Sequence, residues 1–159
     1  PKSIVMAIAG PVDLPPIKLT NAEWVIEPDE MIETFGFRDV VVVNDFEALA
    51  LALPSLEDKH LIQLGGGQAR ANAPCVVIGP GTGLGVASLV SSAGRLTPVP
   101  GEGGHVALGP ETDEDFALWP HLERFHGRIT TETLLSGAGI VRLYRGICAA
   151  GGLTAEDAT

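Results

Sequence analysis

Cysteine is scarce: the 159 residues hold two, Cys75 and Cys148, both in apolar runs and neither with a C-x-x-C neighbour. That leaves a disulfide framework or a zinc ribbon without support, and makes a reducing cytoplasm the expected setting. Basic residues are few as well. Ten lysines and arginines stand against twenty aspartates and glutamates, for a net charge of −10, and only three of the ten are lysines (Lys2, Lys18, Lys59). So acidic a surface repels phosphate backbones and anionic lipid, which argues against nucleic acid or a membrane surface as partner. A neutral, polar ligand meets no such barrier. No apolar run approaches the ~18 residues that a membrane span needs. No signal-peptide pattern stands at the front.

What is present suits a folded core. Hydrophobic residues make up 45% of a single-domain length. The chain starts Pro1-Lys2-Ser3 without an initiator Met and ends in Thr154-Ala155-Glu156, the look of a further element beginning. It reads as a piece of a longer protein.

Residues 3–9 are expected as a buried strand stopped by Gly10-Pro11, with weaker strands over 17–20 and 24–26. Pro28 suits the first position of a helix, Asp29 and Glu30 favour its positive end, and Gly36 closes it. Residues 39–43, an aspartate and four valines, predict a central parallel strand covered on both faces. It runs into Asn44-Asp45 and a helix that ends at Pro54. The alternation argues an α/β fold. After Pro54 the character shifts, and a domain boundary is placed there. Further strands are expected over 61–64, 75–78 and 84–91, with a loop over 68–74. Residues 111–127 read as mostly helical with a break at Pro120, and Ser136 as the cap of a helix ended by Gly151-Gly152. That last helix places Ile140, Val141, Leu143, Tyr144, Ile147 and Cys148 on one face.

Three polar turns could carry chemistry. Asn44-Asp45 stands at the carboxyl end of a strand, where open α/β sheets bind ligands. An aspartate there can take a proton from a hydroxyl that the amide orients. The competing reading, a helix N-cap, stands ahead on residue type alone. Gly79, Gly81, Gly83 and Gly85 surround Thr82 between two strands. Such a turn can aim backbone N–H groups at an anion, or simply be a tight hairpin. It matches neither G-x-G-x-x-G nor a Walker loop. Gly101-Glu102-Gly103-Gly104-His105 presents two titratable side chains from a loop. Two glycines between them disfavour a helical Glu-x-x-His metal pair, and no metal is expected. Glu132 alone is an ordinary helix-start acid, and Ser136-Gly137-Ala138-Gly139 is not a nucleophile elbow.

Taken in order, these stretches resemble the bacterial glucokinases, ATP-dependent relatives of the hexokinases. The matching residues are Ala9-Gly10-Pro11, Leu19-Thr20-Asn21 with Trp24, Val43-Asn44-Asp45-Phe46 and His60-Leu61-Ile62-Gln63. After them come Gly81-Thr82-Gly83-Leu84-Gly85-Val86, Pro100-Gly101-Glu102-Gly103-Gly104-His105, Glu132, Leu135-Ser136-Gly137 and Leu143-Tyr144-Arg145. Each is weak alone; the collinear set is specific. Residues 106–130 lack the cysteine cluster of the related ROK sugar kinases.

The resemblance implies a ribonuclease-H-like, actin/hexokinase-type two-lobed fold, with 1–54 in the small lobe and 55–159 in the large one. It implies phosphoryl transfer from ATP with Mg2+ to the 6-hydroxyl of glucose, with Asp45 as the base. Asn44, Glu102, His105 and Glu132 would hold the other hydroxyls, while Gly81, Thr82 and Gly83 would face the phosphates. A homodimer is left open. The family's opening Asp-x-Gly-Gly-Thr-like loop and its C-terminal part find no match, so the fold is expected to be incomplete and the chain an internal fragment. A sugar-sensing module without chemistry, or a kinase for mannose or fructose, are the competing functions.

Overall fold

The computed structural model describes residues 2–12, 14–19 and 22–153. Thr20 and Asn21 of one motif, and residues 154–159, lie outside them. The chain divides into two compact units, residues 1–77 with 87–100, and residues 78–86 with 101–159.

In the first unit β1 (Ser3–Ile8) and β4 (Asp39–Asn44) pair in parallel, Ser3 opposite Asp39 and Ile8 opposite Asn44. The connection between them holds the short antiparallel pair β2 (Ile17–Lys18) and β3 (Val25–Ile26), then α1 (Pro28–Phe35). Pro28 opens α1 and Gly36 closes it in the left-handed region, φ 68°, its N–H on the Ile32 carbonyl. α2 (Asp45–Ala52) follows β4 at once and runs into a 3-10 turn at Leu53–Ser55, where Pro54 ends the α-helical pattern. Ala50 of α2 packs with Ala87 and Leu89, and Phe46, Leu53 and Val77 close over them.

Three expectations fail in this unit. β1 is not buried along its length: only Ile8 is buried, and Val5 is 69% exposed. β4 is not covered on both faces: Val41 is 47% exposed in a sheet of two strands. Residues 61–64 form no strand. There Gln63 turns its amide onto the carbonyls of Gly65 and Gly67, which curls the chain instead of pairing it, and Ile62 and Leu64 stay exposed.

β5 (Cys75–Pro80), β6 (Leu84–Ser92) and β7 (Arg95–Gly101) form a sheet in that order. Sequence reading did not assign β7, which carries Pro98 and Pro100; as an edge strand it tolerates both.

In the second unit, residues 111–127 are less helical than expected. α3 is only Asp113–Leu118, and Trp119–His121 is a 3-10 turn around Pro120. Leu122, Ile129 and Leu134 form the core, with Leu118, Trp119 and Leu143 against it. α4 (Thr131–Leu134) is a single turn, and α5 (Gly137–Ala150) is capped by Ser136, whose hydroxyl accepts from the Gly139 N–H at 3.0 Å. The apolar stripe expected on α5 is present but turned outward in part: Ile140, Val141 and Ile147 are exposed, and burial falls on Gly139, Gly146 and Cys148.

Candidate functional site

Asn44 is both the last residue of β4 and the N-cap of α2. Its Oδ1 accepts from the N–H of Phe46 (2.9 Å) and Glu47 (3.4 Å), and its own N–H donates to the Glu47 carboxylate. Its Nδ2 donates to the carbonyl of Gly10, just past β1, at 3.2 Å. The cap role therefore belongs to Asn44 rather than Asp45. Asp45, first residue of the helix, accepts from the Phe46 N–H through Oδ1 at 3.1 Å. Its second oxygen carries no protein hydrogen bond among the described residues. Both side chains are half-buried at the carboxyl ends of parallel strands.

In the second unit, a 3-10 turn at Gly103–His105 brings the two titratable residues of the glycine-rich loop together. The His105 N–H donates to the Glu102 carbonyl, and Nδ1 meets Glu102 Oε2 at 2.9 Å. On the other side Nε2 lies 3.8 Å from Glu132 Oε1. The imidazole thus stands between two carboxylates. Glu132 is placed by α4, whose Thr130 cap accepts from the Thr133 N–H, and its Oε2 accepts the Leu84 N–H at 2.9 Å.

Leu84 directly follows the turn of Gly81, Thr82 and Gly83, so the glycine-rich turn and the candidate sugar carboxylate are hydrogen-bonded neighbours. Gly81 N–H closes the turn on the Gly83 carbonyl (2.8 Å), while its carbonyl accepts the Gly137 N–H from the start of α5 (2.9 Å). The N–H groups of Thr82 and Gly83 and the Thr82 hydroxyl are left open among the described residues. An anionic group fits that donor set.

The glycines have a second reason to be there. A Cβ on Gly83 would stand 2.5 Å from Glu132 Oε2, and one on Gly103 would stand 2.9 Å from the Val86 side chain. On Gly104 it would meet the Leu84 carbonyl. These glycines allow close approach of chain to chain; none of the three has a left-handed φ. Sequence reading did not find the Leu84 amide as a partner of Glu132. No local signal marks a contact 48 residues apart. His105, Glu132, Thr82 and Arg128 border one cavity of about 300 Å³.

Among the described residues no group of three or more His, Cys, Asp or Glu side chains could hold a metal ion. Nor is any helix there long and apolar enough to cross a membrane.

The fold is α/β, and its superposition on a solved glucokinase makes it a glucokinase-like fold of the actin and hexokinase superfamily. A family model described as Glucokinase matches residues 1–159. The chain belongs to the glucokinase family. It is 54% identical to a glucokinase of Brucella suis over 97% of the chain and 45% of that protein. With one of Mesorhizobium japonicum the identity is 50%, over 100% of the chain and 47% of the relative. A solved glucokinase from an Antarctic psychrotroph superposes with a TM-score of 0.83 at 38% identity, over 94% of this chain and 47% of that one.

The chain spans about half the length of the relatives it matches. The expectation of an internal fragment with an incomplete fold gives way to a family match along the whole length of this chain. The family match runs from the first residue to the last, and the superposition is with the glucokinase fold itself.

Proposed function

We propose that the protein transfers the γ-phosphoryl group of ATP to the 6-hydroxyl of glucose, in the cytoplasm, with residues 1–54 belonging to the smaller lobe and 55–159 to the larger. Asp45 takes the 6-hydroxyl proton on the oxygen that Phe46 leaves free. The sugar oxygen then attacks the γ-phosphorus as the bond to the bridging oxygen breaks, and ADP departs. Such transfer is mainly positioning plus electrostatic stabilisation, and Mg2+ supplies charge neutralisation on the phosphates.

The observation that carries the reading is the arrangement around Glu132. One of its oxygens is held by the amide next to the glycine-rich turn, and the other faces His105 Nε2 across 3.8 Å. That gap is too long for a direct hydrogen bond and suits two adjacent hydroxyls, one on each group. With Nδ1 on Glu102, His105 turns Nε2 toward the space beside Glu132, where a hydroxyl can bond to it. Glu102 adds a further acceptor, and Asn44 keeps one amide N–H beyond its bond to Gly10. Gly81, Thr82 and Gly83 face the phosphates, with Thr82 and Gly83 supplying N–H groups.

The test has two arms. Calorimetric titration with glucose, beside galactose and fructose, is expected to give binding of glucose alone, lost in Glu102→Ala. In protein that turns over, Asp45→Asn is expected to cut kcat by about a thousandfold or more while keeping most of the sugar affinity, as removal of a general base should. Glucose binding without phosphoryl transfer by the unsubstituted protein would favour a sensing module. Undiminished turnover in Asp45→Asn would remove Asp45 as the base.

A further inference from the structure

We infer that Arg128 is a positioning residue for His105, holding the ring between Glu102 and Glu132 through its backbone. The inference deepens the sugar reading above, since it takes His105 as a group that meets a hydroxyl.

Arg128 Nη2 donates to the His105 carbonyl at 3.3 Å. Its own place is built rather than loose. Arg128 ends a two-residue turn, His126-Gly127, closed by reciprocal bonds: Phe125 N–H to the Arg128 carbonyl at 2.9 Å, and Arg128 N–H to the Phe125 carbonyl at 3.0 Å. Both turn residues have positive φ, 50° and 77°, as a type I′ turn requires. A histidine in that region is uncommon and persists where surrounding contacts determine it. Those contacts come from α5. The Arg142 guanidinium lies 5.8 Å from the Phe125 ring centroid, and its Nε is 3.5 Å from Glu123. The His126 ring stands edge-on to Phe125 at 4.4 Å.

At the other end of the bond, the backbone after His105 is clipped to the strand-like stretch after Arg128. The Val106 carbonyl accepts both the N–H (3.0 Å) and the hydroxyl (3.2 Å) of Thr131, and Leu108 N–H donates to Ile129 (2.9 Å). His105 lies just outside this clip. Its N–H is used in the turn, and the bond its carbonyl makes among the described residues comes from Arg128. Without that bond the 105–106 peptide is held only by the Val106 N–H on the Gly103 carbonyl, a long 3.3 Å bond, so the peptide can tilt and the imidazole swings with it. A guanidinium is suited to the role: it stays charged at every working pH and its N–H groups point along fixed directions. Among the described residues the Arg128 side chain hydrogen-bonds to the His105 carbonyl and not to the glycine-rich turn, so its effect falls on sugar binding and not on phosphoryl transfer.

The test uses the sugar-free protein first. Imidazole ring signals of His105 in a carbon–proton NMR spectrum are expected to shift and broaden in Arg128→Gln, and to recover in part in Arg128→Lys. They stay in place in Arg124→Gln, which removes the same charge from an exposed neighbour. Glucose titration is then expected to show affinity about fivefold weaker in Arg128→Gln, the size of one partly exposed hydrogen bond. KM rises in proportion and kcat holds within about twofold. Unmoved His105 signals in Arg128→Gln overturn the inference, as does a fall in kcat with KM unchanged. If the unsubstituted protein binds no glucose while the His105 signals still respond, the sugar reading fails and the positioning of His105 stands.

Discussion

Gly83→Ala separates a glycine needed for approach from one needed for backbone freedom. The backbone at Gly83 lies outside the left-handed region, so alanine strains nothing there. Its new Cβ, however, would stand 2.5 Å from Glu132 Oε2 and 3.1 Å from Cδ, where ordinary contacts begin near 3.4 Å. The carboxylate must retreat by about 0.9 Å, which opens its 2.9 Å bond to the Leu84 N–H past the range of a good hydrogen bond. Leaving a buried amide unpaired costs about 1–3 kcal/mol, and the partial exposure of Glu132 pulls the figure to about 1–2 kcal/mol. If Glu132 meets the sugar, glucose affinity falls about five- to thirtyfold. Folding stability hardly changes, because alanine also lowers the entropy of the unfolded chain by an amount worth about 0.4–1 kcal/mol. The melting temperature is expected to stay within about 3 °C.

Calorimetric titration with glucose reads the first effect and a thermal melt the second. The amide proton of Leu84, followed by NMR, reports the broken bond without any sugar. Gly109→Ala, where a Cβ meets nothing within 4 Å, serves as the neutral comparison. A Gly83→Ala protein that keeps both its Leu84 amide shift and its glucose affinity would refute the reasoning.

Three further outcomes are expected. Gly104→Ala drives a Cβ into the Leu84 carbonyl, backbone against backbone, and is expected to destabilise the second unit by about 1–3 kcal/mol, a melting point lower by about 3–9 °C; an unchanged melt would mean that the loop moves aside freely. Asn44→Ala removes the cap of α2 and the bond to Gly10, at a cost of about 1–2 kcal/mol, whereas Asn44→Asp keeps the cap; equal hydrogen exchange at Phe46 and Glu47 in both would contradict this. The third concerns acid. The Thr112 N–H, then its hydroxyl and the Glu111 N–H, hold the Asp115 carboxyl below its ordinary value of 3.8. A carboxyl whose value is lower folded than unfolded stabilises fully above the unfolded value. The cap of α3 is therefore expected to loosen as the pH falls below about 3.8 and through the lower folded value, and Thr112→Val to move that midpoint upward, as NMR titration of the Asp115 carboxyl would show.

Much of the first unit was legible because its determinants are local. Four valines running into Asn44-Asp45 mark a strand, a cap and a helix within ten residues, and Pro28 and Gly36 bracket α1 by steric rules that act on single residues. Division of labour between Asn44 and Asp45 was not legible. Either residue can cap a helix, and the carbonyl of Gly10, 34 residues away, shares in holding the amide that does. Residues 61–64 misled because apolar content alone suggests a strand, while Gln63 and the glycines beyond it supply bonds that turn the chain. β7 went unassigned, and only its edge position makes its two prolines harmless.

From the residues alone come the α/β character, the acidic net charge, and the resemblance that names Glu102, His105 and Glu132 as members of one site. These follow from composition, from propensities that act over a turn or two, and from motif order. What only tertiary structure decided is how those members touch. His105 standing between two carboxylates, Glu132 resting on the amide beside the glycine-rich turn, and Arg128 reaching back to His105 all depend on contacts between residues 23 to 48 apart, together with the i,i+3 pairing of Glu102 and His105 that a 3-10 turn creates. Hydrogen bonds at that separation are set by where packing brings two stretches of backbone. Gly83 shows the difference most plainly: its place in a glycine-rich turn is written in the sequence, and the carboxylate that leaves no room for a side chain appears only in the fold.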